Sequence, residues 1–131
     1  MPLHQIFKLC AALFFVVTLS SCDSGTEWKS GDYKVYWIDV STELVLGRDI
    51  GDGNSIGRVM ARVSRVGENS KWIVAARHPT ADDSIIEYFY FSKDSDTRYL
   101  NADEIVKGPF TGEEFRKEEA RLGLPKFSVF F

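Results

Sequence analysis

Cysteine is scarce in this chain, and both cysteines lie near its beginning. Cys10 and Cys22 are the only two among 131 residues. Nothing after residue 22 can therefore supply a disulfide partner, a thiolate ligand for zinc or a cysteine nucleophile. Histidine is almost as rare, because His78 is the only one that follows His4.

The sequence also lacks an apolar run long enough to span a bilayer and a dense cluster of basic residues. Its uncharged run from Leu9 to Leu19 falls short of the roughly 20 residues of a transmembrane helix, but matches the roughly 7 to 15 of a signal-peptide core. The net charge of −3 argues against binding to nucleic acid or electrostatic attraction to anionic lipids. No motif predicts a cofactor.

The end of the apolar run, Leu19-Ser20-Ser21-Cys22, resembles the lipobox of bacterial lipoproteins. The resemblance implies cleavage before Cys22, a diacylglyceryl thioether on its sulfur and acylation of the new amine. By the enterobacterial sorting rule, Asp23 directly after the cysteine favours the inner membrane, facing the periplasm. The outer membrane remains an alternative. The other interpretation of this segment is a buried amino-terminal helix with an incidental cysteine.

This interpretation divides the chain into three parts. We predict a signal peptide over residues 1–21, a lipidated cysteine and tether over 22–30, and a single globular domain over 31–131. Loss of the signal also removes Lys8, so the net charge becomes −4. The mature chain then has no free thiol, since Cys10 is cut off and Cys22 carries lipid. A chain of this size can bury a core without covalent crosslinks.

The predicted fold class is α+β, a single small domain with a mainly antiparallel sheet. Aromatic and β-branched residues cluster in short runs between turn residues, and Gly67–Ser70 between two such runs predicts a hairpin. The segment Gly47–Gly57 is predicted to be a loop. Strands are predicted over 33–40, 43–46, 59–64, 71–77, 85–91, 97–100 and 127–131.

Helix signals gather near the end of the chain. Thr111 and Glu114 have the spacing of a capping box, and Gly123 followed by Pro125 predicts a stop. These signals predict a helix over 112–122. Its thin apolar face, chiefly Phe115 and Leu122, predicts a position on the rim of the sheet. A shorter helical turn is predicted to begin at Asn101.

Catalysis could involve His78, with Asp82 or Asp83 as its carboxylate partner and a nearby serine as nucleophile. No serine lies in a Gly-x-Ser-x-Gly elbow, however. One imidazole with hard oxygen ligands is too little for a structural zinc site. We therefore predict no metal site and treat a small envelope hydrolase as the alternative function.

The glycine-bearing stretch Gly47–Gly57 fits neither a calcium loop nor a phosphate loop. For calcium, Ile56 and Val63 occupy positions that need oxygen ligands. For phosphate, the Lys-Ser/Thr pair is missing and a strand is expected to follow. A surface turn available for contact with a partner is the preferred interpretation.

The segment Val66-Gly67 to Trp72-Ile73-Val74-Ala75, continuing to His78-Pro79, is similar to one found in small uncharacterised bacterial lipoproteins. That resemblance implies no activity. With no catalytic constellation in view, the sequence favours a non-catalytic binding module of the cell envelope over an enzyme. Such a module could be an assembly accessory, an inhibitor or an immunity protein. It would contact the membrane through Cys22 and an envelope protein through exposed aromatic or loop residues.

Overall fold

The computed structural model describes residues 23–131. The predicted signal peptide, 1–21, and the predicted lipidation site, Cys22, lie outside the described residues. The described chain forms two antiparallel sheets, of four and five strands, and one main helix near the C-terminal region. This architecture confirms the predicted α+β class with its antiparallel sheet and late helix.

The first sheet is a meander of four strands in chain order. They are β1 (Ser24–Ser30), β2 (Tyr33–Ile38), β3 (Val45–Gly51) and β4 (Asn54–Val59). Successive side chains of a strand point to opposite faces of its sheet. In β2, Tyr33 and Val35 are buried in the core, while Lys34 and Tyr36 lie on the outer face and are only partly buried.

The second sheet has the strand order β8-β7-β6-β5-β9, and two helices lie between its later strands in sequence. The hairpin of β5 and β6 confirms the one predicted around Gly67–Ser70. The elements are β5 (Val63–Glu68), β6 (Trp72–Arg77), β7 (Glu87–Ser92), α1 (Ala102–Ile105), β8 (Lys107–Phe110), α2 (Gly112–Leu122) and β9 (Val129–Phe130).

The central strands β6 and β7 are covered on both faces. Their inner side chains, including Ile73 and Phe91, join Val35 of the first sheet in one core between the sheets. Their outer side chains, including Val74 and Tyr90, form a second core under α2. Burial on both sides explains why these strands are continuously apolar, and it gives the molecule a sheet–sheet–helix layering.

The helix α2 has the predicted bounds and the predicted cap. The Thr111 side chain accepts a hydrogen bond from the Glu114 amide, and the Glu114 carboxylate accepts one from the Thr111 amide. Phe115 is buried and stacks on Tyr88, with their ring centroids 5.1 Å apart. The helix thereby packs against β7 and β8, at one edge of the second sheet. The shorter helix predicted from Asn101 is also present as α1.

The prediction of a loop over Gly47–Gly57 was wrong, because these residues form most of the β3–β4 hairpin. Its turn places Asp52 and Gly53 at φ values of 57° and 75°. Two successive residues with positive φ match the twist of the adjoining strands, and Asp-Gly is a preferred pair for such a turn. The Asp52-Gly53 dipeptide was therefore a local sequence signal for this hairpin.

Two strand predictions were wrong at points where the chain changes direction. Residues 59–64 do not form one strand, because β4 ends at Val59 and β5 begins at Val63 in the other sheet. The alternating pattern continues across this boundary although the backbone leaves the sheet. Residues 97–100 form turns that lead to α1 instead of a strand.

The predicted tether over 22–30 was wrong for its described part from Ser24 onward. Ser24–Ser30 pairs with β2 as an edge strand, and Trp28 packs against the core between the sheets. The small polar residues after Cys22 suggested a linker, but pairing with β2 supplies the order that their composition does not predict.

Candidate functional site

The outer face of the first sheet carries a groove of about 790 Å³. We call it the outer groove. Lys34, Tyr36 and Ile38 of β2 run along it, the beginning of β1 borders it at residues 23–26, and the turn of the β3–β4 hairpin borders it at residues 53–55. The groove thus spans most of the length of β2 and is open to solvent.

Close backbone approaches shape the outer groove. A Cβ atom at Gly47 would lie 2.7 Å from Cε1 of Tyr36, so the absence of a side chain allows the phenol ring to lie against β3. Gly25 has the same role in β1, where an added Cβ would lie 2.6 Å from Nε1 of Trp37. Bulges in both outer strand pairs bend the sheet further.

The groove is polar and charged differently at its two ends. Near the start of β2, the Lys34 ammonium lies 4.8 Å from the centroid of the Tyr36 ring. Near the end of β2, the groove is bordered by the carboxylates of Asp23 and Asp39. Partial burial raises the pKa of Tyr36, so its phenol is neutral and can both donate and accept a hydrogen bond at neutral pH.

Ser55 places an unpaired hydroxyl beneath this surface. Its Oγ is inaccessible to solvent and has no hydrogen-bond partner among residues 23–131. A buried hydroxyl without a partner is energetically costly, and because this one is closed to solvent it is not itself a contact group of the groove. The groups that the outer groove offers to a polar chain are therefore the Tyr36 phenol and the charges at its two ends.

A smaller cavity, of about 350 Å³, lies between α2 and β7. Trp72, Tyr90 and Leu122 give it an aromatic and apolar lining, and Lys107 and Arg121 lie at its rim. The Tyr90 hydroxyl donates to the Glu118 carboxylate at 2.8 Å. Burial, followed by this hydrogen bond, raises the pKa of Tyr90. This cavity is suited to a small apolar group, not to a chain.

The structure does not join His78 to the carboxylates considered with it. His78 Nδ1 lies 3.1 Å from the Ile85 carbonyl, which can only accept, so Nδ1 carries the proton. Asp82 instead accepts hydrogen bonds from the hydroxyl and amide of Ser84, and these bonds hold its pKa below the usual value. Within residues 23–131, neither Asp82 nor Asp83 forms an ion pair with His78.

A buried ionic network that the sequence did not predict connects the two sheets. Arg58 makes a bidentate pair with Asp96, at 3.0 and 2.9 Å, and both side chains are fully buried. The Tyr33 hydroxyl donates to the same carboxylate at 2.7 Å and accepts from Arg48 at 2.8 Å. Burial, followed by the bond to Asp96, raises the pKa of Tyr33. No local pattern could reveal a pair 38 residues apart.

The remaining clusters of acidic residues do not form a metal site in the described chain. Among residues 23–131, no three His, Cys, Asp or Glu side chains are grouped so that they could hold a metal ion. Neither helix of this region is long and apolar enough to cross a membrane.

Comparisons of this chain with protein-family models, with curated proteins and with solved structures found no match.

Proposed function

We propose that the chain is a lipoprotein of the bacterial cell envelope whose folded domain is a non-catalytic binding module. In this proposal residues 1–21 are a signal peptide and Cys22 carries the lipid. Asp23 favours the inner membrane, with the domain facing the periplasm. This location is supported by the agreement of the apolar run, the lipobox and their position in the sequence.

The observation that carries the binding role is the outer groove. It offers the Tyr36 phenol, the Lys34 ammonium and the carboxylates of Asp23 and Asp39 on an open sheet face. Among the described lining residues, Ser55 Oγ has no hydrogen-bond partner and Trp37 Nε1 donates to Glu27, so no serine there is paired with a base as catalysis by a serine nucleophile would need. Convergent hydrogen-bonding groups without such a pair support binding instead of catalysis.

The class of partner that best fits the groove is a segment of an envelope protein. The groove follows β2, with the Lys34 ammonium near one end and the carboxylates of Asp23 and Asp39 near the other. An extended peptide presents N–H and C=O groups along its whole length, and its charged side chains could pair with the two ends. A partner of this kind is compatible with an assembly accessory, an inhibitor or an immunity protein.

The lipid anchor is tested by metabolic labelling with palmitate. We expect the full-length chain to be labelled and Cys22→Ala to lose the label, while Cys10→Ala keeps it, because only Cys22 follows the lipobox. An unlabelled wild-type product would contradict the proposed anchor.

The binding role is tested by photo-crosslinking in intact cells, with a photoreactive residue at position 54, an exposed position of the groove lining, or, as a control, at position 70 in the β5–β6 turn. We expect a discrete protein adduct from position 54 only. Lys34→Glu should remove it, whereas Lys71→Glu should not, although Lys71 also lies over an aromatic ring, that of Trp72. Adducts of equal yield from both positions would argue against the groove.

The alternative of a hydrolase gains no specific support from the position of His78, since a backbone carbonyl takes the place of its carboxylate partner. His78→Ala separates the two functions. We expect the envelope phenotype of the wild type to be retained. A folded His78→Ala protein that no longer supports the envelope phenotype would instead favour the hydrolase.

A further inference from the structure

Four large apolar side chains are exposed on three connections of the fold. They lie in or beside the β2–β3, β4–β5 and β6–β7 connections. Their relative exposures are 63% for Ile38, 51% for Val40, 56% for Met60 and 46% for Ile85. Single exposed apolar residues are ordinary on a protein surface, but their gathering at one place is not.

These connections meet at one end of the molecule. The chain crosses from β4 to β5 through Met60, and the Val63 amide at the start of β5 donates to the Leu44 carbonyl before β3, at 3.0 Å. The His78 amide after β6 donates to the Arg62 carbonyl at 3.1 Å, and His78 Nδ1 lies 3.1 Å from the Ile85 carbonyl. We call this region, defined by Ile38, Val40, Met60 and Ile85, the apolar end.

The described chain begins at the same end. The Asp39 amide, between Ile38 and Val40 in sequence, donates to the Asp23 carbonyl at 2.9 Å. Asp23 follows Cys22 directly and precedes β1 directly, so a lipid on Cys22 would be attached beside the apolar end with almost no linker. The attachment point and the exposed apolar residues thus coincide.

The charges at this end are mainly acidic, which disfavours a strongly anionic surface and leaves an uncharged or zwitterionic one. Asp23, Asp39, Glu43, Asp82 and Asp83 outnumber Arg62 and Arg77, and Arg77 is paired with Glu87 at 3.4 Å. Binding to strongly anionic lipid needs a cluster of basic residues, whereas apolar insertion depends on buried apolar area.

We infer that the apolar end rests on the lipid bilayer, with Val40, Met60 and Ile85 inserted at the boundary between headgroups and acyl chains and Ile38 at the edge of the contact, where the outer groove meets the membrane. This inference rests on the proposed acylation of Cys22 and adds a defined orientation to it. The strands then rise from the membrane, and the turn of the β5–β6 hairpin is directed away from it, because β5 begins and β6 ends at the apolar end.

The test uses the full-length chain, produced in bacteria so that processing can occur, and reconstituted in vesicles of phosphatidylethanolamine and phosphatidylcholine. An environment-sensitive fluorophore is attached to Val40→Cys or to Met60→Cys. Ser70→Cys, in the exposed turn at the opposite end, is the matched control. Acylated Cys22 leaves the introduced thiol as the reactive one, and mass spectrometry of the same sample measures that acylation.

We expect the labels at positions 40 and 60 to show blue-shifted emission, quenching by lipid-borne quenchers and loss of access to aqueous iodide. The label at position 70 should show the opposite behaviour. Acylated protein with iodide-accessible labels at 40 and 60 would overturn the orientation and leave the proposed anchor intact. Labels shielded from both quenchers would indicate that a second copy of the chain covers this end, and would also overturn it. Protein without acyl chains would overturn the proposed anchor and, with it, the inference.

Discussion

At the scale of single residues, Asp96 is a buried carboxylate with several hydrogen-bond donors. Its carboxylate accepts from Arg58 through two nitrogens and from the Tyr33 hydroxyl, with no exposure to solvent. Arg58 also donates to the Thr97 carbonyl at 3.0 Å. A buried pair contributes little beyond an apolar replacement, but removing one partner leaves the other charge buried and uncompensated.

We predict that Asp96→Asn lowers the free energy of unfolding by about 3 to 5 kcal/mol, because it leaves the buried Arg58 guanidinium without its counter-ion. Urea unfolding followed by tryptophan fluorescence measures the change. Asp94→Asn, two residues away on the surface, is the matched control and should stay within about 0.5 kcal/mol of the wild type. Equal effects of the two substitutions would show that the pair has no special role.

At the scale of elements, the last segment of the chain is held against β5 by a close backbone contact. The Ser128 amide donates to the Val66 carbonyl, and β9 pairs with β5 at Arg65 and Val66. A Cβ atom at Gly67 would lie only 2.1 Å from the carbonyl oxygen of Lys126. Glycine is therefore required at this position so that the two backbones can meet.

We predict that Gly67→Ala destabilises the protein by about 1 to 3 kcal/mol, the usual cost of overpacking, because a backbone atom cannot give way as a flexible side chain can. Hydrogen exchange should show faster exchange at Ser128 and Phe131, whose amides bond to β5. Gly112→Ala, where an added Cβ meets only ordinary contacts beyond 3.5 Å, provides the control and should not destabilise the fold. Unchanged exchange in Gly67→Ala would contradict the proposed contact.

The accuracy of the sequence-based predictions also divides by element. The helix α2 and the β5–β6 hairpin could be predicted because their signals, the Thr111 cap and the Gly67–Ser70 turn, are local. The ends of β4 and β5 could not, because the same alternation continues across Val59–Val63 while the chain changes sheets. The order of β1 depends on pairing with β2, and the Arg58–Asp96 pair depends on both sheets. The outer groove likewise forms from residues of three separate segments.

At the scale of the whole molecule, Glu68 connects the two sheets at their surface. Its carboxylate accepts from Ser30 of β1 and, at 2.7 Å, from Lys93 after β7. Partial burial alone raises the pKa of Glu68, but the hydrogen bonds from Lys93 and Ser30 outweigh burial and lower the pKa below its ordinary value. The folded state therefore favours the ionised carboxylate.

We predict that Glu68 stabilises the fold at neutral pH and that its contribution is lost on acidification. Because the pKa of the folded state lies below the unfolded value of about 4.3, the contribution is complete above that pH and disappears as the pH falls through the folded pKa. Glu68→Gln should cost about 1 kcal/mol or less at pH 7, since the pair is partly exposed, and almost nothing at the acidic end. Ser30→Ala, which removes one of the two donors, should give an intermediate pH dependence in the same urea titrations. A Glu68→Gln cost that does not vary with pH would contradict the proposal.

If Cys22 is acylated as proposed, the start of β1 at Ser24 also limits how far the domain can move. Asp23 alone would separate the lipidated cysteine from the strand, so the domain could not swing away from the membrane. The strands of six or seven residues rise only about 20 to 23 Å at roughly 3.3 Å per residue. Encounters with a partner are then confined to a thin layer over one leaflet, so the search becomes two-dimensional, and a partner that is itself held in that membrane meets the outer groove most often.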